Sequence, residues 1–193
     1  MIIEIKKLTP DLAEDYARYF DTTPHNDTYG IKCYCVSWRN DDSYFGDDHW
    51  YPTPEERRER AIQFVKDGKL QGYLAYHDGR IVGWCNATED CRLGVKHLHS
   101  CGWPIEECRE GIKIKSIFCF VIAPDVQRKG IATQLVERVC RDATHDGFDF
   151  VEAYTNDKFI DDGYKGPLAM YEKCGFIKHS EQNGKIVMRK SLK

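Results

Sequence analysis

The stretch Gln127-Arg128-Lys129-Gly130-Ile131-Ala132 has the residue types and spacing of an anion site. It follows an apolar run and a turn at Pro124, and it opens an amphipathic segment. A helix start presents unpaired N–H groups and the positive end of the helix dipole. Gly130 lets a phosphate approach the main chain, Ala132 is small for the same reason, and Arg128 and Lys129 add charge. The competing reading is an ordinary strand–turn–helix with a solvated basic turn. The Lys-Ser/Thr of a phosphate-binding loop and the first two glycines of a dinucleotide fingerprint are both missing, so neither motif fits. Cys91, His97, His99, Cys101 and Cys108 form a second constellation. Zinc takes imidazole and thiolate ligands, yet these spacings match no paired CxxC pattern, and no metal is expected.

The elements that must position these residues are punctuated by Gly, Pro, Asp and Asn. Residues 2–6 alternate as a strand. Thr9-Pro10 opens a helix to about residue 20, with Thr9 as cap. Thr53-Pro54-Glu55-Glu56 starts another through a capping box, which should end at Asp67-Gly68. Two alternating runs, 71–77 and 80–87, joined by Asp78-Gly79, read as a tight hairpin. Residues 112–122 form a strand, 130–143 a helix, 148–155 a strand and 167–173 a short helix ended by Cys174-Gly175. Residues 176–179 and 185–192 close the chain around Asn183-Gly184. The segment 112–155 should give two parallel strands with a right-handed crossover. The expected fold class is α/β, a mixed sheet with helices on both faces.

The chain has 193 residues, 41% hydrophobic and 31% charged, which suits one globular domain over 1–193. Its longest apolar run, Ile117–Ala123, is far short of a membrane span. A net charge of −3 argues against nucleic acid as partner. No secretory signal is visible in Met-Ile-Ile-Glu-Ile-Lys-Lys. The nine cysteines are therefore read as reduced thiols in a cytoplasmic protein.

With these residues in place, the chain resembles the GNAT-type N-acetyltransferases. Their acetyl-CoA motif is strand–Pro–x–x–[Gln/Arg]–x–x–Gly–x–[Gly/Ala]–helix. Pro124, Gln127, Gly130 and Ala132 fill every fixed position. Downstream, Met170-Tyr171-Glu172-Lys173-Cys174-Gly175-Phe176 is similar to the family's Leu-Tyr-Glu-Lys-x-Gly-Phe. The family often carries Asn seven residues before this Tyr, where Tyr164 stands, so no cofactor contact carries over to that position. Ser116–Phe120 and Val151–Tyr154 resemble a bacterial branch of the family, which leaves the acceptor open.

The resemblance implies a V-shaped splay between the two central parallel strands, near Phe120–Ile122, where the pantetheine arm of acetyl-CoA would pair. An N–H of Phe120 or Val121 would stabilise the oxyanion. The amides of Gln127, Arg128, Lys129, Gly130, Ile131, Ala132 and Thr133 would hold the pyrophosphate. Tyr171 would protonate the departing thiolate, against a plain packing role beneath the sheet. Acetyl-CoA is then a co-substrate, no metal is required, and an amine attacks directly in a ternary complex. Glu152, mid-strand among apolar residues, is the candidate base, since an unpaired carboxylate there is costly. A salt-bridged strand carboxylate is the competing reading, and Glu89 is the runner-up base.

In the family, the region corresponding to 21–52 covers the acceptor. Here it holds Cys33-x-Cys35 and Trp38. Tyr29, Tyr34, Trp38, Tyr44, Phe45, Trp50 and Tyr51 would wall a pocket, and Asp41, Asp42, Asp47 and Asp48 would attract a small cationic amine. The competing reading is a solvated acidic loop with aromatics folded onto the core. Residues 88–111 read as an insertion before the central strand. The rival function is a CoA-binding sensor or scaffold without turnover. Assembly is expected to be monomer or homodimer.

Overall fold

A computed structural model describes residues 1–24, 32–39, 53–89, 102–105, 110–158 and 164–193. The Cys/His constellation at 91, 97, 99, 101 and 108 lies outside the described residues. So do Tyr29, Tyr44, Phe45, Trp50, Tyr51 and the four aspartates at 41, 42, 47 and 48.

The chain forms β1 (Glu4–Lys7), α1 (Ala13–Thr22), α2 (Pro54–Lys66), β2 (Gly72–His77), β3 (Arg80–Thr88) and β4 (Ile114–Ile122). It continues through α3 (Ile131–His145), β5 (Phe150–Asn156), α4 (Leu168–Lys173), β6 (Ile177–Gln182) and β7 (Lys185–Ser191). The strands make one mixed sheet in the order β1-β2-β3-β4-β5-β7-β6. Only β4 and β5 run parallel, joined by the α3 crossover. Among the described residues no helix is long and apolar enough to cross a membrane.

Local chemistry accounts for most boundaries. Thr53 accepts a bond from the Glu56 amide while the Glu56 carboxylate accepts from the Thr53 amide, closing the expected capping box. Asp78 and Gly79 have φ of 48° and 76°, both left-handed, as the tight turn between β2 and β3 demands. Thr9 behaves differently from its sequence reading. It makes no side-chain cap, and Pro10–Leu12 form a 3-10 turn before α1 begins at Ala13.

Two apolar clusters lie on either side of the sheet. One joins α1 and α2 to Leu74, Trp84, Phe118, Val121 and Tyr154. The other joins α3 and α4 to Tyr73, Ala75, Cys85, Ile117, Phe120 and Ala153. The described part of the 21–52 region folds onto the first cluster, with Tyr34, Cys35, Val36 and Trp38 all buried. Cys35 Sγ lies 2.9 Å from Cys119 Sγ of β4 and accepts the Trp84 indole N–H at 3.3 Å. This tethers the segment to the central strand.

Among the described glycines the closest packing is at Gly72. A Cβ there would lie 2.2 Å from the Cys85 carbonyl oxygen and 2.3 Å from the Trp84 ring. Backbone cannot yield as a flexible side chain can, so Gly72→Ala is expected to cost roughly 3 kcal/mol or more. Thr53→Ala, which removes only the cap, is expected to cost about 1 kcal/mol. Urea unfolding midpoints of both variants check the ranking.

Candidate active site

The parallel ladder between β4 and β5 is short. It runs from Ile114↔Phe150 to Ile117↔Ala153 and stops. Beyond it Tyr154, Thr155 and Asn156 pair with β7 alone, so Phe118–Ile122 have no strand on that side. A bulge helps to set this opening. Cys119 faces Asn86 and Ile117 faces Ala87, leaving Phe118 without a partner across the β3 ladder. An extra residue bends a strand and adds twist.

Successive strand amides point to opposite edges. Phe120 N–H meets the Tyr164 carbonyl at 2.5 Å, whereas the Ala123 amide donates to Val82 of β3. Phe120 therefore faces the opening and Val121, opposite Trp84, faces β3. Two carbonyls along the edge are also engaged. The Phe118 carbonyl lies 3.5 Å from Lys165 Nζ, and the Ile122 carbonyl accepts from Gln127 Nε2 at 3.3 Å.

At the end of that edge the chain turns through Pro124–Val126 into α3. The Arg80–Asp125 ion pair, at 2.5 Å, ties this turn to the start of β3 and holds the exposed Asp125 carboxyl below its ordinary range. Arg128 and Gly130 take left-handed φ of 61° and 80°. Gly130 is the N-cap of α3, and no side chain caps the helix. The first bond of α3 runs from the Gln134 amide to the Gly130 carbonyl, so the Ile131, Ala132 and Thr133 amides precede the internal ladder. A Cβ on Gly130 would meet nothing within 4 Å. Open space, uncapped amides, and exposed Arg128 and Lys129 fit a diphosphate group.

Tyr171 of α4 is fully buried between Phe120 and Phe176, with ring centroids at 6.5 and 5.5 Å. Its hydroxyl donates to the Lys165 carbonyl at 2.6 Å. Burial pushes the phenol well above the ordinary tyrosine range, so it holds its proton.

Glu152 sits one rung below the opening, opposite Ser116. Both carboxylate oxygens are engaged: one takes Arg189 at 2.5 and 2.7 Å, the other the Tyr154 hydroxyl at 3.2 Å. Tyr154 also reaches Ser116 Oγ at 3.1 Å. Here the expected inward-facing carboxylate has the salt bridge that was its competing reading. Glu89 pairs with the buried Lys115 at 3.3 Å, just beyond Thr88, which faces Ser116 at the zipped part of β4.

Sequence reasoning missed three features. Lys165 lines the opening with no motif to mark it, and Tyr164, marked only as standing where the family often has Asn, meets Phe120 N–H through its carbonyl. Asn86 is 1% exposed on β3, beside the bulge, and its Nδ2 has no hydrogen-bond partner. The signal available beforehand was a lone polar residue in an apolar strand. Among the described residues no group of three or more His, Cys, Asp and Glu is placed to hold a metal.

Residues 33–176 match the model of the acetyltransferase (GNAT) family, well over half of the chain. Solved structures share the fold end to end. A GNAT-family acetyltransferase from Streptococcus pneumoniae aligns at TM-score 0.56 and 18% identity, covering 98% of this chain and 99% of that one. The PaiA N-acetyltransferase of Thermoplasma acidophilum, in complex with coenzyme A, aligns at 0.55 and 14%, covering 99% of both. The ribosomal-protein-S18-alanine N-acetyltransferase of Escherichia coli aligns at 0.53 and 11%, covering 99% and 94%. No curated protein sequence matches the chain. A strand opened beside a glycine-capped helix and a family match spanning both together identify the chain as a member of the GNAT family, an acetyltransferase that draws its acetyl group from acetyl-CoA.

Proposed function

We propose that this enzyme transfers an acetyl group from acetyl-CoA to the amine of a small cationic acceptor, by direct attack in a ternary complex. The observation that carries the reading is the β4–β5 ladder stopping at Ile117↔Ala153, which leaves Phe120 N–H on an edge that leads into the Gly130 cap.

Each residue then has a distinct task. The turn 127–130 and the Ile131, Ala132 and Thr133 amides hold the pyrophosphate. The pantetheine arm pairs along Phe118–Ile122 as a strand would, displacing the Tyr164 carbonyl from Phe120 N–H. That N–H donates to the thioester oxygen and stabilises the oxyanion formed when the amine nitrogen attacks the carbonyl carbon. The amine attacks in its neutral form, the nitrogen sheds a proton to water, and as the carbon–sulfur bond breaks Tyr171 gives its proton to the sulfur and regains one from solvent. Glu152, held by Arg189, fixes Tyr154 and Ser116 beneath the opening. Its contacts support that positioning role over the base role that its place in the sequence suggested.

Acetyl-CoA binding measured by calorimetry tests the cofactor half. Gly130→Glu sets a carboxylate against the diphosphate and is expected to weaken binding roughly 100-fold, since like charges in contact cost several kcal/mol. Circular dichroism is expected to show the fold intact. Wild-type protein that fails to bind acetyl-CoA overturns the reading.

Tyr171→Phe tests the acid. It is expected to lower kcat by a factor on the order of 10² to 10⁴ while leaving acetyl-CoA affinity unchanged. An unchanged kcat assigns Tyr171 to packing alone.

The pH profile provides a separate check. A phenol whose folded pKa is raised stays protonated through the ordinary tyrosine value of 10.0. No Tyr171-dependent fall in kcat is therefore expected up to pH 10, the highest pH at which the folded protein is assayed. A fall centred there in wild type and absent from Tyr171→Phe contradicts the assignment.

A further inference from the structure

Lys165 is 8% exposed, and three aromatic rings lie close to its ammonium. Nζ lies 4.3 Å from the centroid of the Trp38 ring, 5.0 Å from Trp103 and 5.3 Å from Tyr164. The Phe118 carbonyl, 3.5 Å away, supplies an acceptor. Trp38 stacks on Phe118 and Phe118 on Tyr154, at 5.0 and 5.4 Å and 15° in both cases, while Trp103 stands edge-on to Tyr154. A buried ammonium is costly unless its environment replaces water. Ring faces and a carbonyl contribute to this, and they favour a cation over a neutral or anionic group.

The position of this box matters as much as its chemistry. Phe118 is the first residue past the last rung of the β4–β5 ladder, so the box adjoins the opened edge. The main chain at the same place engages the reacting groups. Tyr164 C=O accepts from Phe120 N–H, and Lys165 C=O accepts from the Tyr171 hydroxyl. One short segment thus occupies the proposed oxyanion donor, the proposed acid and a cation seat together.

We infer that the box of Trp38, Trp103 and the Phe118 carbonyl is the seat of the acceptor's ammonium, filled in the resting chain by Lys165 as an internal stand-in. This rests on the transferase reading and names its acceptor class: an unbranched alkyl chain ending in a primary ammonium, the shape of the lysine side chain already seated there. A free diamine has such a chain and carries a second amine that, when neutral, attacks the thioester, whereas the one side-chain nitrogen of a peptide lysine would be the seated ammonium itself. The acceptor competes with Lys165 for the box, and the thioester competes with the main chain of the same segment.

Kinetics of CoA release by the full chain test this, with cadaverine and a blocked lysine peptide as the two acceptors. Lys165→Ala empties the box and is expected to lower KM for the accepted amine roughly tenfold. Trp103→Leu removes a wall and is expected to raise it roughly tenfold. Both loosen the anchor of residues 164–165, so acetyl-CoA affinity falls in neither. Opposite movements of KM with no loss of cofactor affinity are the signature that a merely structural lysine does not produce. Preference for cadaverine, whose second amine can attack, is expected, and preference for the peptide overturns the seat.

KM values equal in all three proteins, or acetylation of neither probe by a protein that binds acetyl-CoA, overturn the seat and leave the transferase reading intact. Failure to bind acetyl-CoA instead fells the transferase reading. Thermal stabilisation of Lys165→Ala by n-pentylammonium, compared with n-pentanol, then decides the box alone: equal shifts overturn it. Should Lys165→Ala or Trp103→Leu not fold, Lys165→Met and Trp38→Phe replace them with the same expected directions.

Discussion

A strand edge cannot carry bare amides and carbonyls into a protein interior, yet from Phe118 onward β4 has no strand on its β5 side. The site is organised around that constraint. Lys165 Nζ, the Tyr164 carbonyl and the Gln127 side chain meet the exposed Phe118, Phe120 and Ile122 groups. None of these is a rung of the sheet. In the proposed reaction a ligand with its own amides and carbonyls replaces these contacts, as an extended ligand adds to a sheet. The zipped half, Ile114–Ile117, offers nothing comparable.

The bulge at Phe118 gives the opening two unlike sides. Phe118 and Cys119 both join the cluster under α1 and α2, and Phe120 returns to the cluster under α3 and α4. Tyr171 therefore lies on the same side as Phe120 and the glycine-capped helix, while Trp38, Tyr154 and Trp103 lie on the other. In the proposed reaction, pyrophosphate and leaving thiolate belong to the first side and the acceptor to the second. Stacked rings and an ion-paired Glu152 make the second side stiff, and close-packed side chains with satisfied polar groups resist rearrangement.

The parts legible in the sequence are those decided within a few residues of themselves. The Thr53–Glu56 box, the Asp78-Gly79 and Asn183-Gly184 turns and the helix start at Gly130 each depend on neighbours or on a single φ, and each stands within a residue of where the sequence placed it. Thr9 shows the limit. The same cap signal gave a 3-10 turn, because Pro10-Asp11-Leu12 closed on the Thr9 carbonyl first. β7 lying between β5 and β6 was not legible. A hairpin signal says which strands pair with each other, not which of them faces the rest of the sheet.

For the site the division runs along the same line. The sequence by itself determined a basic, glycine-bearing turn at a helix start, a tyrosine in a recognisable signature, and hence the family, because those features are runs of adjacent residues. Only the tertiary structure decided that Phe120 and not Val121 faces the opening, that Glu152 is claimed by Arg189, and that Lys165 sits over Trp38. Edge, partner and cage are set by which distant segments pack together, and contacts across such separations leave no periodicity in the chain to read.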